Sequence, residues 1–288
     1  MIKVKPSVRL ALVGLAAILT FAGCGDNPTH TPDAAPWPVT SLHYTPNGNF
    51  SPSGQYLPAA AGFNLADVES SAKNQLDSLP NGVRGLVWLG ECGGTTAAFR
   101  SAVDAFAGDP KLFGFYVMDE PTPSTCAAQN LLAEDNWIHA HVPGAKTFAI
   151  LENLGRQAKP SFAGSYTPRS SGLDLVGLDP YPVRSELHNP DYAEIAEYVR
   201  LVEAIGWPES SIVPVYQAFG GGDYPDDADG YWVLPTAAQA RQILADWAAV
   251  VPHPQFDYAY SWGSQRGDSP LSQSPVLRAV FAEKNKPS

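Results

Sequence analysis

The chain is 288 residues long, 44% hydrophobic and only 16% charged, against a usual ~25% charged. Its formal charge of −11 disfavours a nucleic-acid binder, which needs Lys and Arg to displace counterions from phosphates, and equally a polybasic membrane-surface protein. The 27 Pro and 25 Gly together stay below the ~25–30% that marks low complexity, so a loop-rich globular chain is expected.

The first element in the chain is a leader. Lys3, Lys5 and Arg9 precede an uncharged apolar run over residues 10–22. That run is shorter than the ~20 apolar residues that span a bilayer. A basic start, a short apolar run and small residues read as a secretory signal over 1–23. It ends in Phe21-Ala22-Gly23-Cys24, which resembles a bacterial lipobox and implies lipidation at Cys24. An ordinary signal peptide with an incidental Cys is the alternative. Losing the three basic residues of the leader takes the charge from −11 to −14. Residues 24–39, polar and proline-rich, read as a tether. Residues 40–288 then have the size of one (β/α)8 barrel. Cys92 and Cys126 are the cysteines left in the folded part, and in an oxidising compartment they are expected to bridge.

Short apolar runs alternate with helical patterns, which argues for parallel α/β architecture. Candidate strands cover 41–45, 63–66, 85–89, 112–118, 147–151, 173–178, 212–217 and 256–261. The first is the weakest pattern, and a seven-strand count is the alternative. A helix is expected at 95–107, with Phe99, Val103 and Phe106 on one face. Another is expected at 191–205. Thr236 and Gln239 have capping-box spacing ahead of a third. Residues 46–62 and 153–172 carry no clear helix, so the (β/α)8 TIM-type barrel is expected to be irregular, in a single domain.

Function in such barrels lies at the C-terminal strand ends. Read in order, those ends supply Trp88 and Glu91, then Asp119-Glu120-Pro121, Glu152-Asn153, Asp179-Pro180-Tyr181-Pro182, Gln217, and Trp262. Carboxylates, amides and aromatics converge on one rim, the equipment that cleaves glycosidic bonds. Strand alternation puts Gly114, Tyr116, Met118 and Glu120 on one side and points Asp119 away. It likewise puts Gly177, Asp179 and Tyr181 together. Glu120 and Asp179 are expected to face one substrate with carboxyls roughly 7–10 Å apart, from the spacing of alternate strands.

The segment Phe115-Tyr116-Val117-Met118-Asp119-Glu120-Pro121 is similar to the strand-four motif of clan A glycoside hydrolases. In that motif, usually Asn-Glu-Pro, the Glu is the acid/base. Asp174 to Pro182 looks like the strand-six segment of the same clan, and Trp262 like the strand-eight Trp that floors the sugar subsite. The resemblance implies that Glu120 is the acid. It departs from the clan at Asp119, which stands where Asn contacts the sugar, and at Gln217, where the clan's nucleophilic Glu ends strand seven. Glu120 would then work with Asp179 first, or with Glu152.

The expected function is an exported glycoside hydrolase acting on a poly- or oligosaccharide, with Glu120 and Asp179 catalytic. Asp119, Tyr181, Gln217, Trp262, Trp88, Glu152 and Asn153 are the candidate sugar contacts. The alternative is a non-catalytic glycan-binding lipoprotein on the same scaffold, and a third reading is a surface protein whose barrel contacts another protein. The expected partners are a carbohydrate and, through Cys24, the membrane of the cell envelope. A monomer is expected. Asp226-Asp227-Ala228-Asp229-Gly230 lacks the twelve-residue calcium pattern, and neither a Gly-x-Ser-x-Gly elbow nor a His-Glu-x-x-His motif occurs. No metal or cofactor is therefore expected.

Overall fold

A computed structural model describes Trp37 and residues 40–223 and 230–287. The leader, Cys24, nearly all of the tether and the acidic stretch 224–229 lie outside the described residues. Eight parallel strands close into a barrel in chain order. They are β1 (His43–Thr45), β2 (Leu65–Glu69), β3 (Arg84–Trp88), β4 (Leu112–Met118), β5 (Lys146–Ile150), β6 (Leu175–Leu178), β7 (Ile212–Gln217) and β8 (Asp257–Tyr260). The eight-strand count holds, and β1 is the shortest strand. Helices α1 (Lys73–Ser78), α2 (Ala97–Asp104), α3 (Ala128–His141), α4 (Pro168–Ser171), α5 (Ala193–Ala204), α6 (Ala237–Val250) and α7 (Pro275–Lys284) follow the strands. The two connections without a helical pattern are the irregular ones. The first holds one short 3-10 turn at Pro58–Ala61, and the second holds only the single turn of α4. Thr236 and Gln239 form the capping box that starts α6.

Strand alternation sorts the apolar residues into two cores. Tyr44, Leu65, Leu86, Phe148, Leu175, Val213 and Tyr258 fill the barrel interior. Val68, Val87, Phe115, Val176 and Ile212 face the helix layer. Burying one such side chain contributes about 1.5–3 kcal/mol, so a one-residue slip is opposed along the whole strand. Gly114 and Gly177 stand where neighbouring strands leave no room. A β-carbon on Gly114 would fall 2.1 Å from the Lys146 carbonyl oxygen, and one on Gly177 would fall 2.8 Å from the Phe148 ring.

Strand β4 departs from simple alternation. Its register shifts against β3 beside Gly85/Leu86 and against β5 between Tyr116 and Met118. Phe113, expected on the helix side, therefore packs inside against Phe256. Beyond the second shift the expected order fails again. Met118 packs with the outer core, and Asp119 turns inward to accept a hydrogen bond from the Tyr116 hydroxyl. A bulge inserts one extra residue and so exchanges the two faces beyond it.

Two further ties close the fold. Cys92 and Cys126 form a disulfide, joining the loop after β3 to the loop after β4. At the opposite end of the barrel, buried Asp257 of β8 binds Lys284 of α7 and His43 of β1. Burial alone would raise the Asp257 carboxyl, but the charges of Lys284 and His43 hold it below its ordinary range. Removing one partner of a buried pair strands the other, at a cost of about 3–5 kcal/mol. Asp257→Ala is therefore expected to lose about that much unfolding free energy in urea titration. A loss under ~1 kcal/mol would remove the cluster from the stability account.

Candidate active site

The C-terminal strand ends surround a pocket of about 580 Å³. One wall carries Asp119 and Glu120 after β4, Glu152 and Asn153 after β5, and Asp179 after β6. The other carries Tyr181, Phe219, Trp232, Tyr258 and Tyr260, with Gln265 and Arg266 at its edge. In a ring of eight strands β4 and β8 stand opposite each other. An acidic wall therefore faces an aromatic one.

The bulge in β4 makes the acidic wall. It turns Asp119 inward, and Glu120 follows with φ +45°, a left-handed conformation that is uncommon for a residue with a side chain. The Glu120 amide donates to the Ile150 carbonyl at 3.1 Å, which anchors the turn to β5. Both Asp119 and Glu120 thus project into the open pocket, while Asp179 lies half-buried beside them.

The Glu120 and Asp179 carboxyls are within hydrogen-bonding reach of each other. This corrects the expected 7–10 Å separation, which assumed ordinary alternation up to Glu120. Two carboxylates this close cannot both ionise freely. Enclosure by the barrel wall raises Glu120 above the usual carboxylate range, and the charges of Asp119 and Glu152 add to it. Burial raises Asp179 further, with Glu120 next. Asp119 and Glu152 are raised in the same way, burial first. Water entering the pocket screens part of this at Glu120 and Asp119. The contact raises both carboxyls and so favours one proton held between them, which suits an acid that donates to a leaving group.

The remaining candidates divide. Tyr181 lines the pocket, edge-on to Phe219 at 5.0 Å and to Trp232 at 5.4 Å between ring centres. Asn153 also lines it, but its amide is engaged. It donates to the Tyr198 hydroxyl at 2.8 Å and accepts from the amides of Gly155 and Ser161. Trp88 lies outside the pocket, edge-on to Tyr116 at 4.8 Å. Trp262 is displaced too. It is buried against Phe63 in the helix-side core and does not line this pocket. Gln217 is fully buried, and its amide binds the backbone of Val183 and Val233, so it offers nothing to a sugar.

Tyr258 went unread as a pocket residue, although its spacing from Tyr260 puts both on one strand face. Gln157, Gln265 and Arg266 also line the pocket from loops, where no periodicity marks them. Among the described residues, Asp135, His139 and Asp174 form a group with metal-like spacing. They lie at the far end of the barrel, and the Lys146 ammonium already sits 3.3 Å from Asp174.

No known protein family matches the sequence, and no curated protein does. Solved structures do match. A GH18 chitinase, ChiB, from Flavobacterium johnsoniae is similar with a TM-score of 0.51 at 10% identity, over 87% of this chain and 94% of that one. A β-glucuronidase from Ruminococcus gnavus is similar at 0.52 and 11%, over 79% and 44%. A chitinase-like agglutinin from Robinia pseudoacacia is similar at 0.52 and 13%, over 85% and 99%. The chain shares the (β/α)8 barrel fold of these structures. At these identities the likeness covers the fold and not the chemistry, and it includes an agglutinin as well as enzymes.

The raised carboxyls of this barrel set the sign of its pH dependence. Asp67, enclosed beneath the rim, is pushed up to about 6, chiefly by burial, and Asp179 is also raised. An acid whose pKa is higher folded than unfolded holds more protons in the native state between the two values. The contribution of these two groups to stability is therefore full below pH ~4, the unfolded value, and falls as pH rises through the folded one. The melting temperature is expected to drop between pH 5 and 8, and to drop less in Asp179→Asn. A melting temperature that rises over this range would contradict the assignment.

Proposed function

We propose that this protein is an exported, lipid-anchored glycoside hydrolase. It cleaves O-glycosidic bonds in a poly- or oligosaccharide, with Glu120 as the proton donor. The observation that carries this reading is the contact of the Glu120 and Asp179 carboxyls on one wall of an open pocket whose other wall is aromatic. Aromatic faces suit the apolar faces of sugar rings, and a carboxyl whose proton affinity is raised suits a leaving oxygen.

The contact between the two carboxyls changes the role of Asp179. Paired glycosidase carboxyls stand ~5–5.5 Å apart in retaining enzymes and ~6.5–9.5 Å apart in inverting ones. Groups that hydrogen-bond to each other fit neither. Asp179 then acts through Glu120, fixing its orientation and its proton. Of the two other pocket carboxylates, Asp119 already accepts from the Tyr116 hydroxyl, which leaves Glu152 to act on the attacking water. It lines the same pocket and its charge acts on Glu120. In this sequence Glu120 gives its proton to the glycosidic oxygen as the C–O bond breaks. Glu152 takes a proton from the water that replaces the leaving group.

Screening soluble glycans for released reducing ends tests the reading. Glu120→Gln is expected to lower turnover roughly 10²–10⁴-fold while leaving binding in place, the usual contribution of a positioned acid. Full activity in that variant would remove Glu120 from the chemistry. The second reading, a glycan-binding protein without turnover, rests on Gln217, since β7 ends in an amide that is turned away from the pocket. Tight binding by wild type and Glu120→Gln alike, with no product from either, is its signature. The anchor is tested separately. Cys24→Ala is expected to move the protein from the membrane fraction to the soluble fraction, and retention in the membrane would overturn lipidation.

A further inference from the structure

Strand β7 ends in a side chain that is fully buried beside the pocket and does not enter it. The Gln217 amide has one acceptor and a donor group with two hydrogens, and three short contacts use them. Its Oε1 accepts from the Val183 amide at 2.9 Å. Its Nε2 donates to the Val183 carbonyl at 2.9 Å and to the Val233 carbonyl at 3.1 Å. Val183 follows Tyr181 by two residues in the loop after β6. Val233 follows Trp232 directly, in a different loop. The two segments also meet as a short antiparallel bridge. The Val233 amide donates to the Val183 carbonyl at 3.0 Å, and the Ser185 amide donates to the Tyr231 carbonyl at 3.0 Å.

We propose that Gln217 is a positioning residue, a buried amide that clamps the loops bearing Tyr181 and Trp232 and so sets the shape of the aromatic wall. The position requires an amide. A carboxylate could still accept from the Val183 amide, but it has no donor and would set a negative charge against two carbonyl oxygens. An apolar side chain would leave the buried Val183 carbonyl and the partly buried Val233 carbonyl without their side-chain donor, which is costly. Arg184 supports the same corner from the other side. Its guanidinium donates to the Tyr181 carbonyl at 3.0 Å and to Glu194 at 2.7 Å. What the clamped wall does for a sugar rests on the hydrolase reading above. The clamp itself does not.

Hydrogen exchange on the full chain decides the clamp without any ligand. In Gln217→Leu, amides in segments 181–185 and 231–234 are expected to exchange roughly ten-fold faster, as a lost buried hydrogen bond implies, while β4 and β5 stay unchanged. Gln217→Glu, nearly isosteric, is expected to keep protection at the Val183 amide and to lose it at 231–234. Unchanged exchange in both segments would overturn the proposal. So would a uniform rise across the barrel, which marks a generic loss of stability. On any glycan cleaved in the screen, Gln217→Leu is expected to raise KM roughly ten-fold and leave kcat within about three-fold, the pattern of lost binding. A gain of turnover in Gln217→Glu would overturn it as well, since the position would then serve a carboxylate. Should no glycan bind, the hydrolase reading fails and the exchange result stands alone.

Discussion

Because a closed eight-stranded barrel gives each strand one inward residue in every two, the residues that end the strands on the inner phase become the pocket. That constraint governs the rest of the molecule. It packs Tyr44, Phe148 and Tyr258 inside and Phe115 and Val176 outside, and it leaves a rim where apolar packing stops. The site depends on the one strand that breaks the rule. By exchanging faces near its end, β4 brings Asp119 inward and carries Glu120 over to Asp179. Ordinary alternation would have spaced those carboxyls as a two-carboxylate glycosidase needs. The bulge makes them partners instead.

The electrostatics follow from this crowding. Three consecutive strand ends bring four carboxyls to one wall, and none of them gains an ordinary surface environment. Each raised carboxyl is unfavourable for the folded state at neutral pH. The barrel tolerates this because its cohesion lies elsewhere, in two apolar cores, a disulfide and the buried Asp257–Lys284–His43 cluster at the far end. The buried cluster thus lies at the end away from the pocket, while the disulfide ties two loops on the pocket side. The aromatic wall is held by backbone clamps, with Gln217 and Arg184 fixing loops that have little regular structure of their own.

Much of the fold was legible in the chain, for identifiable reasons. Apolar runs of strand length, separated by helices with clear faces and stops, marked all eight strands, and the capping box at Thr236 marked the start of α6. The two cysteines after successive strands marked their bridge. Individual orientations around β4 were less legible, because a bulge leaves no mark in residue type. Trp262 and Gln217 were misplaced for another reason. Position at a strand end shows that a side chain is near the rim, not whether it turns into the pocket or back into the packing. Gln157, Gln265 and Arg266 come from loops, whose path depends on what they pack against.

By itself, the sequence determined the barrel class, the disulfide and the set of strand ends from which a site could be built, since periodicity and residue type are local properties. The tertiary structure alone decided which of those side chains meet. It placed Glu120 against Asp179, turned Gln217 away from the pocket and buried Trp262 behind the barrel wall. These outcomes turn on register shifts and backbone turns of a single residue. They are set by the fit of neighbouring strands across the barrel, which no one segment encodes.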